Sequence, residues 1–245
     1  MARIFITGSA DGLGALAAKA LVAAGHAVVL HARNMQRASD ALQNVPGAET
    51  VVSADLSSVE ETRQLADKVN ALGAFDAVIH NAGVYQMAAP TIFAVNTLAP
   101  YILTCLIEKP KRLVYLSSGL HMQGHPNFEH FDVNTRHIRY SDSKLHVLML
   151  STAVARLWPD IYSNTLDPGW VPTKMGGQGA PDDLEKGYET QVWLATSNDN
   201  DALVNGRYFY HRKQRSGNAA AADVALQDQF LHACKEITGV AFPRG

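Results

Sequence analysis

Cysteine, long apolar runs and net charge are all scarce in this sequence. The two cysteines, Cys105 and Cys234, lie far apart without a CxxC pair, which argues against a metal cluster and indicates a reducing compartment. No apolar run reaches the roughly 18 residues that a membrane-spanning helix needs. Glycine and Asp11 interrupt the apolar stretch after Arg3, so no secretory signal is expected. A formal net charge of −2 gives no basis for binding nucleic acid or an anionic membrane. We therefore expect a cytoplasmic protein with neither of these partners.

A length of 245 residues predicts one domain spanning residues 1–245, since α/β folds of this length are often single domains. Short β-rich runs alternate with helical stretches, which favours a doubly wound parallel sheet of about seven strands with helices on both faces. The predicted strands cover residues 4–6, 27–32, 50–53, 76–80, 111–117, 161–166 and 206–210. The longest predicted helices cover residues 91–107, 139–157, 184–196 and 223–238, and residues 119–137 and 212–222 are predicted loops.

A glycine-rich turn joins the first predicted strand to the first predicted helix. Residues 7–14 read TGSADGLG, and Gly25 is placed to end the helix that follows. Glycines let the backbone approach a phosphate closely, and the N–H groups at a helix N-terminus attract the anion. The alternative is a strand–helix turn that binds nothing. The residues of the predicted phosphate site are Gly8, Ser9, Ala10, Asp11, Gly12, Leu13 and Gly14.

A second group of polar residues predicts proton chemistry. Tyr140 and Lys144 are four apart on a predicted helix, so both project from one face. A free tyrosine has a pKa of about 10, and a nearby ammonium lowers it, so that the phenol can protonate a forming alkoxide or take the proton back. Ser118 follows the fifth strand, at the sheet edge where open α/β folds bind ligands, and its hydroxyl can polarise a carbonyl. Ser117 is the alternative to Ser118.

Five motifs, taken in order along the chain, resemble those of the short-chain dehydrogenase/reductase family. The resemblance runs from Arg3 to about Thr173. The long serine-to-tyrosine loop and the later Gly-Arg-Tyr-Phe are similar to the retinol-dehydrogenase-like branch. The family resemblance implies a Rossmann-type fold and an NAD(P)-dependent oxidoreductase. The five motifs are Gly8-x-x-x-Gly12-x-Gly14, Asn81-Ala82-Gly83, Asn96, Ser118 and the Tyr140–Lys144 pair.

The resemblance also implies roles for single residues. Asn96 would bind a water that links Lys144 to solvent as a proton relay, and Lys144 would also bind the nicotinamide ribose. The alternative for Asn96 is a solvent-facing polar side chain, and the alternative for Asp55 is a helix cap before Ser57. The resemblance implies cofactor contacts for Asp55, Leu56, Asn81, Ala82, Gly83, Tyr140, Lys144, Pro168, Gly169, Val171 and Thr173.

The end of the second strand bears on which nicotinamide cofactor binds. An acidic residue there would bind the ribose 2′-hydroxyl of NAD, but the strand ends His31-Ala32-Arg33. Arg33 can instead pair with the 2′-phosphate of NADP. NADP is therefore the predicted cofactor. Many NADP-using relatives carry a basic residue where this chain has Asp11, so the strictness of the preference stays open. The alternative for Arg33 is a solvated surface arginine.

The predicted activity is hydride transfer between NADP and a ketone, aldehyde or secondary alcohol. The expected substrate pocket contains Ser118, His121, Tyr140 and Trp170, with a lid around residues 173–190. Two other functions remain open on the same fold: a non-catalytic dinucleotide-binding regulator, and an epimerase or dehydratase. In many relatives the helices corresponding to those from residues 91 and 139 join subunits, so a homodimer or homotetramer is an expected assembly.

No metal site is expected, although four histidines lie in the predicted loop 119–137. Gly124 and Pro126 argue against a helix that would align the first two of them, and no carboxylate or cysteine completes a ligand set. The four are His121, His125, His130 and His137.

Overall fold

The computed structural model describes residues 1–243 and places eight strands in one sheet. The strands are β1 (Arg3–Ile6), β2 (Ala27–Ala32), β3 (Thr50–Ser53), β4 (Ala77–His80), β5 (Arg112–Leu116), β6 (Tyr162–Asp167), β7 (Tyr208–Tyr210) and β8 (Lys213–Arg215). Their order across the sheet is β3-β2-β1-β4-β5-β6-β7-β8. The first seven strands are parallel, and β8 is antiparallel to β7. The predicted doubly wound sheet is confirmed.

The helices cover both faces of this sheet, which leaves β1 buried on both sides. Its residues alternate as a strand requires: Ile4 and Ile6 join one core with α1 and α7, whereas Phe5 joins the other core with α3, α5, α6 and α8. The helices are α1 (Gly12–Ala23), α2 (Met35–Asn44), α3 (Val59–Ala71), α4 (Ala89–Phe93), α5 (Ala99–Leu106), α6 (Tyr140–Leu157), α7 (Leu184–Thr196) and α8 (Val224–Thr238).

Helices α4 and α5 are joined by a π-helical turn over Ala94–Leu98. In this turn the N–H of Ala99 bonds to the carbonyl five residues earlier. Pro100 has no N–H and cannot donate to the Asn96 carbonyl four residues before it, which accounts for the widened turn. The whole segment Ala89–Leu106 is long and apolar enough to cross a membrane, but 67% of it is buried inside this chain, where α5 packs against α3.

The prediction that residues 212–222 form a surface loop is wrong in part. It contains β8, which forms a hairpin with β7, and a short 3₁₀ helix over Ala219–Ala222. The turn of the hairpin consists of His211 and Arg212, whose φ angles are +48° and +60°. Turns of this kind normally carry Asn-Gly or Asp-Gly, so this one has no visible sequence signal.

The predicted loop 119–137 also contains short 3₁₀ helices, at Gly119–Gln123 and Phe128–His130. Phe128 belongs to an aromatic cluster that covers α6: it packs beside Phe131, His146 of α6 and Phe230 of α8. The inner residues of α6 are accordingly buried within its own chain.

Asp142 links the loop between Ser118 and Tyr140 to the start of α6 through hydrogen bonds. Its buried carboxylate accepts hydrogen bonds from the backbone N–H of His125 (2.8 Å), the backbone N–H of Arg139 (2.9 Å) and the Arg139 guanidinium (2.9 Å). Burial opposes ionisation, but these donors hold the pKa of Asp142 below its usual value. Because Tyr140 is the first residue of α6, this anchor fixes the backbone on both sides of Tyr140.

The substitution Asp142→Asn is expected to lower the free energy of unfolding by about 2 kcal/mol, because a neutral amide satisfies these donors less well. A depressed folded-state pKa stabilises the protein above the usual aspartate range, and this contribution disappears as pH falls through the folded pKa. Urea denaturation at neutral and acidic pH should therefore show that the difference in free energy of unfolding between variant and parent becomes smaller as the pH falls. The exposed Asp160→Asn serves as the control, and a gap that does not change with pH would contradict a role for the charge.

Candidate active site

The three glycines of the turn between β1 and α1 fall into two groups, two that are closely packed and one that faces open space. A Cβ on Gly8 would lie 2.8 Å from the Cα of Ala82, and a Cβ on Gly14 would lie 2.5 Å from the carbonyl oxygen of Gly8. These two positions need glycine for close packing. Gly12 has a φ of +56°, and nothing lies within 4 Å of a Cβ built on it. The turn is therefore open at Gly12, where α1 begins.

This opening fits a phosphate group. The side chain of Asp11 forms no cap on α1, so it does not satisfy the N–H groups of the first turn, and these groups and the helix dipole favour an anion. The Ser9 hydroxyl is buried and used internally, because it donates to the Ile6 carbonyl and accepts from the His31 N–H, both at 2.9 Å. Ala10 and Leu13 are half-buried in the same turn.

His31 stabilises the glycine turn through hydrogen bonds. The sequence analysis did not predict this role. Its Nδ1 accepts the Gly8 N–H at 3.0 Å, and its Nε2 lies 3.1 Å from the Ala54 carbonyl, to which it donates in this tautomer. Burial lowers the pKa of His31 to about 4, so the ring is neutral at physiological pH. The only sequence signal was a histidine in an otherwise apolar strand.

Asp11 lies in the turn between two cations from distant parts of the chain. Its Oδ2 accepts from Arg37 at 2.5 Å and from Lys174 at 2.9 Å. Burial opposes ionisation, but the Lys174 and Arg37 hydrogen bonds hold the pKa of Asp11 below its usual value. The negative charge in the turn is thus balanced by these two partners, and Lys174 ties the predicted lid to the turn.

Arg33 and Asp55 meet at the neighbouring ends of β2 and β3. The exposed Arg33 donates through Nε to Asp55 at 3.0 Å, and residues 1–243 provide it with no other polar partner. The other carboxylate oxygen of Asp55 accepts from the N–H and hydroxyl of Ser57 at 2.9 and 2.7 Å. The alternative interpretation of Asp55 as a helix cap is wrong, because the N-cap of α3 is Ser58, and the cofactor contact of Asp55 stays a prediction. Leu56 is buried in the core.

The segment after β4 holds the glycine turn against the sheet. The amide of Asn81 donates to the carbonyls of Thr7 and Gly8, both at 3.0 Å, and the Ala82 N–H donates to the Thr7 hydroxyl at 3.0 Å. A Cβ on Gly83 would lie 3.2 Å from Nζ of Lys144. The predicted cofactor segment 81–83 therefore links the glycine turn to the Lys144 ammonium.

Ser118, Tyr140 and Lys144 meet at the carboxyl edge of β5. The Ser118 hydroxyl lies close enough to the Tyr140 phenol to favour its ionised form. Nζ of Lys144 lies 5.5 Å from the centre of the Tyr140 ring and donates to the Leu116 carbonyl at 2.9 Å. The alternative residue Ser117 points elsewhere: its hydroxyl is buried and donates to the backbone carbonyl of Lys144 at 2.8 Å.

The prediction that Lys144 lowers the pKa of Tyr140 is wrong for this geometry. Burial raises the pKa of Tyr140 to about 12, although the Ser118 hydroxyl acts in the opposite direction, and the charge of Asp167 raises it further. Burial also lowers the pKa of Lys144 to about 8, while Asp167 opposes that change. Loss of hydration on burial is the largest cause of both pKa shifts.

Asn96 lies in the π-helical turn and is only 1% exposed, so the solvent-facing alternative is wrong. Its amide donates to the Val84 carbonyl and the Ser143 hydroxyl, both at 3.0 Å, and its Oδ1 accepts the Val84 N–H at 2.8 Å. A Cβ on Gly83 would lie 3.5 Å from this Oδ1, so Asn96 and Lys144 flank the same glycine. The predicted water relay remains a prediction.

The segment after β6 begins with Pro168 and Gly169 and reaches the predicted lid. Val171 is buried, and its side chain would lie 2.8 Å from a Cβ on Gly187 of α7. The Thr173 hydroxyl accepts the N–H of Gly176 at 3.2 Å. The predicted lid over residues 173–190 thus runs into α7 for its last third.

The two other predicted pocket residues differ in exposure. Trp170 is 61% exposed, and its Nε1 donates to the Gly176 carbonyl at 2.8 Å. His121 does not line an open pocket, which corrects the prediction: it is fully buried, with Nδ1 2.6 Å from the Ser118 carbonyl and its ring 4.6 Å from that of Tyr208. The Tyr208 ring and the Ser118 carbonyl thus hold this histidine inside the fold.

Within residues 1–243, no three His, Cys, Asp or Glu side chains are grouped to hold a metal ion. His130 and His137 of the loop lie against each other, with ring centres 4.5 Å apart. His125 contributes its backbone N–H to Asp142.

The chain is similar to proteins of one family. The family described as short chain dehydrogenase matches residues 2–107. The short-chain dehydrogenase chyC of Penicillium rubens is 42% identical over 99% of this chain and 100% of that protein. A Streptomyces protein named as a daunorubicin C-13 ketoreductase, DnrU, is 27% identical over 96% of this chain and 92% of its own length.

Two further likenesses concern the branch and the fold. Retinol dehydrogenase 14 of Mus musculus is 26% identical over 97% of this chain and 86% of its own length. A crystal structure of an uncharacterized protein from Mycobacterium paratuberculosis superposes with a TM-score of 0.79 at 22% identity, over 99% of this chain and 95% of that one. The retinol-dehydrogenase-like relationship and the Rossmann-type fold are thereby confirmed. Because relatives with 42% identity extend over nearly its whole length, this chain belongs to the short-chain dehydrogenase family of NAD(P)-dependent oxidoreductases.

Proposed function

We propose that this protein is an NADP-dependent carbonyl reductase that interconverts a ketone or aldehyde and the corresponding alcohol. The observation that carries the proposal is the meeting of Ser118, Tyr140 and Lys144 at the sheet edge, beside a glycine turn that fits a phosphate. Two cysteines without a disulfide agree with a cytoplasmic location.

The residues of this group have separate tasks. The hydroxyls of Ser118 and Tyr140 would both donate hydrogen bonds to the carbonyl oxygen, which polarises it and fixes its position. Tyr140 would then give its proton to the forming alkoxide, and Lys144, flanked by Asn96 across Gly83, would help to restore that proton. The glycine turn would hold the phosphates of NADPH, and the bound cofactor would supply the hydride.

Arg33 supports NADP as the cofactor. Its guanidinium is exposed at the end of β2 and is held on one side by Asp55, so its other donors are available to a 2′-phosphate. The balanced charge of Asp11 also supports this choice, because Arg37 and Lys174 reduce its repulsion of phosphate.

The surface around the site supports a bulky apolar substrate. Large apolar side chains are exposed on the three loops that follow β4, β5 and β6, whose carboxyl ends lie side by side in the sheet. One of them, Tyr85, contacts Tyr140 directly, with ring centres 4.8 Å apart. A group of exposed apolar residues at a site edge marks a surface that binds an apolar ligand. These residues are Tyr85, Met87, Leu120, Met122, Trp170 and Met175.

The substitution Tyr140→Phe is expected to lower the turnover number for carbonyl reduction by about 10²- to 10⁴-fold, because the proton donor is lost. NADPH binding, followed by fluorescence, should stay close to that of the parent. Tyr162→Phe, which removes the hydroxyl of an exposed tyrosine remote from the site, is the matched control. A Tyr140→Phe variant with near-parental turnover would refute the mechanism.

The substitution Arg33→Asp is expected to weaken NADPH binding by about tenfold to a hundredfold, because a charge-assisted hydrogen bond of roughly 1.5–3 kcal/mol is lost. NADH lacks the 2′-phosphate and should be affected far less. Calorimetric titration with both cofactors measures the difference, and Arg136→Asp is the control for adding negative charge to the surface. Equal weakening of the two cofactors would exclude a phosphate contact by Arg33.

A further inference from the structure

Asp167, the last residue of β6, belongs to none of the motifs above. It directly follows Leu166, which pairs with Leu116 of β5, and the Leu116 carbonyl accepts a hydrogen bond from the Lys144 ammonium at 2.9 Å. One carboxylate oxygen accepts the Gly169 N–H at 2.9 Å, and the Tyr208 hydroxyl donates to the other at 3.5 Å. That second oxygen would lie 3.0 Å from a Cβ on Gly119, which directly follows Ser118. The carboxylate is thus held by neutral groups against the backbone of the site.

Asp167 forms no ion pair of its own within residues 1–243. Its place next to Leu116 and Gly119 brings its charge near the site, where it raises the pKa of both Lys144 and Tyr140. Arg139, next to Tyr140, is already paired with Asp142 and is not free to balance Asp167. The titratable groups around the pair are Tyr85 from the β4–α4 loop, His121 after β5, Asp167 from β6 and Tyr208 from β7.

A fixed negative charge has the same effect on both members of the pair. It favours the charged ammonium of Lys144 and disfavours the phenolate of Tyr140, so each keeps its proton to higher pH. The two groups are coupled, and the charge therefore raises the pH at which the pair loses its first proton, whichever residue releases it. The fully protonated pair is the form that can protonate an alkoxide, whereas alcohol oxidation needs the phenolate.

We propose that Asp167 is a positioning residue that holds the Tyr140–Lys144 pair in its protonated form, and so favours carbonyl reduction over alcohol oxidation near neutral pH. This inference rests on the proposed carbonyl reductase function. This role differs from a purely structural one, because loss of the charge should shift the pH profile of the reaction and not only lower its rate.

The test compares Asp167→Asn with the parent enzyme, using a panel of apolar ketones with NADPH and the matching alcohols with NADP. Asparagine can still accept the Gly169 N–H, so the turn is preserved. The alkaline limb of the kcat/KM profile for reduction should move to lower pH by about one unit. At neutral pH and with each cofactor saturating, kcat/KM for alcohol oxidation should rise about tenfold relative to kcat/KM for ketone reduction. This change is the equivalent of one pKa unit.

Asp160→Asn is the matched control. This exposed carboxylate precedes β6, at the end of the strand opposite to Asp167, and it is not among the groups that act on Tyr140 or Lys144. Its profile should stay that of the parent. Asp167→Ser provides a second neutral variant if the asparagine variant does not fold, and Asp167→Glu should restore the parental profile.

The outcomes separate the two proposals. If the parent enzyme reduces ketones but the alkaline limb does not move in either neutral variant, the role of Asp167 is overturned and the proposed function is not. Equal losses in both directions without a shift of the limb would also overturn it, because they indicate structural damage. A parent enzyme that binds NADPH but transforms none of the carbonyls or alcohols would instead refute the proposed function.

Discussion

A buried ammonium group is the constraint on which the site depends. Lys144 is only 5% exposed, and taking such a charge out of water costs several kcal/mol unless neighbouring groups compensate. The surroundings of Lys144 supply that compensation through the Leu116 carbonyl and the charge of Asp167, while the Ser117 hydroxyl holds the lysine backbone. Gly83 leaves the space that the ammonium occupies. Strands β4, β5 and β6 thus all contribute to one cation.

Most of the fold could be predicted from the sequence because its signals are local. Parallel strands covered on both faces appear as short apolar runs, and the ends of β2 and β3 agree with those runs to the residue. Helix starts also follow local rules: Ser58 caps α3 by accepting the Glu61 N–H. β8 was not predictable, because a turn made of His211 and Arg212 looks like any polar loop.

The residues that meet in the candidate site could be predicted from the sequence, but their pKa shifts could not. Motif spacing brings Ser118, Tyr140 and Lys144 together, yet spacing carries no information on how deeply each group is buried. Burial decides the direction of both pKa shifts here, and it comes from segments remote in sequence. The same limit applies to His31 and Asp11, whose partners lie far along the chain: Gly8 and Ala54 for the first, Arg37 and Lys174 for the second.

The π-helical turn at Asn96 has a consequence for the phase of the helix that contains it. One extra residue in a turn rotates everything after it by roughly 100° about the helix axis, since an α-helix has about 3.6 residues per turn. The faces of α4 and α5 are therefore set independently of each other. This lets α5 bury Tyr101 and Ile102 in the core while Asn96 still points toward Val84 and Ser143. The offset allows one continuous helical segment to serve both the core and the site.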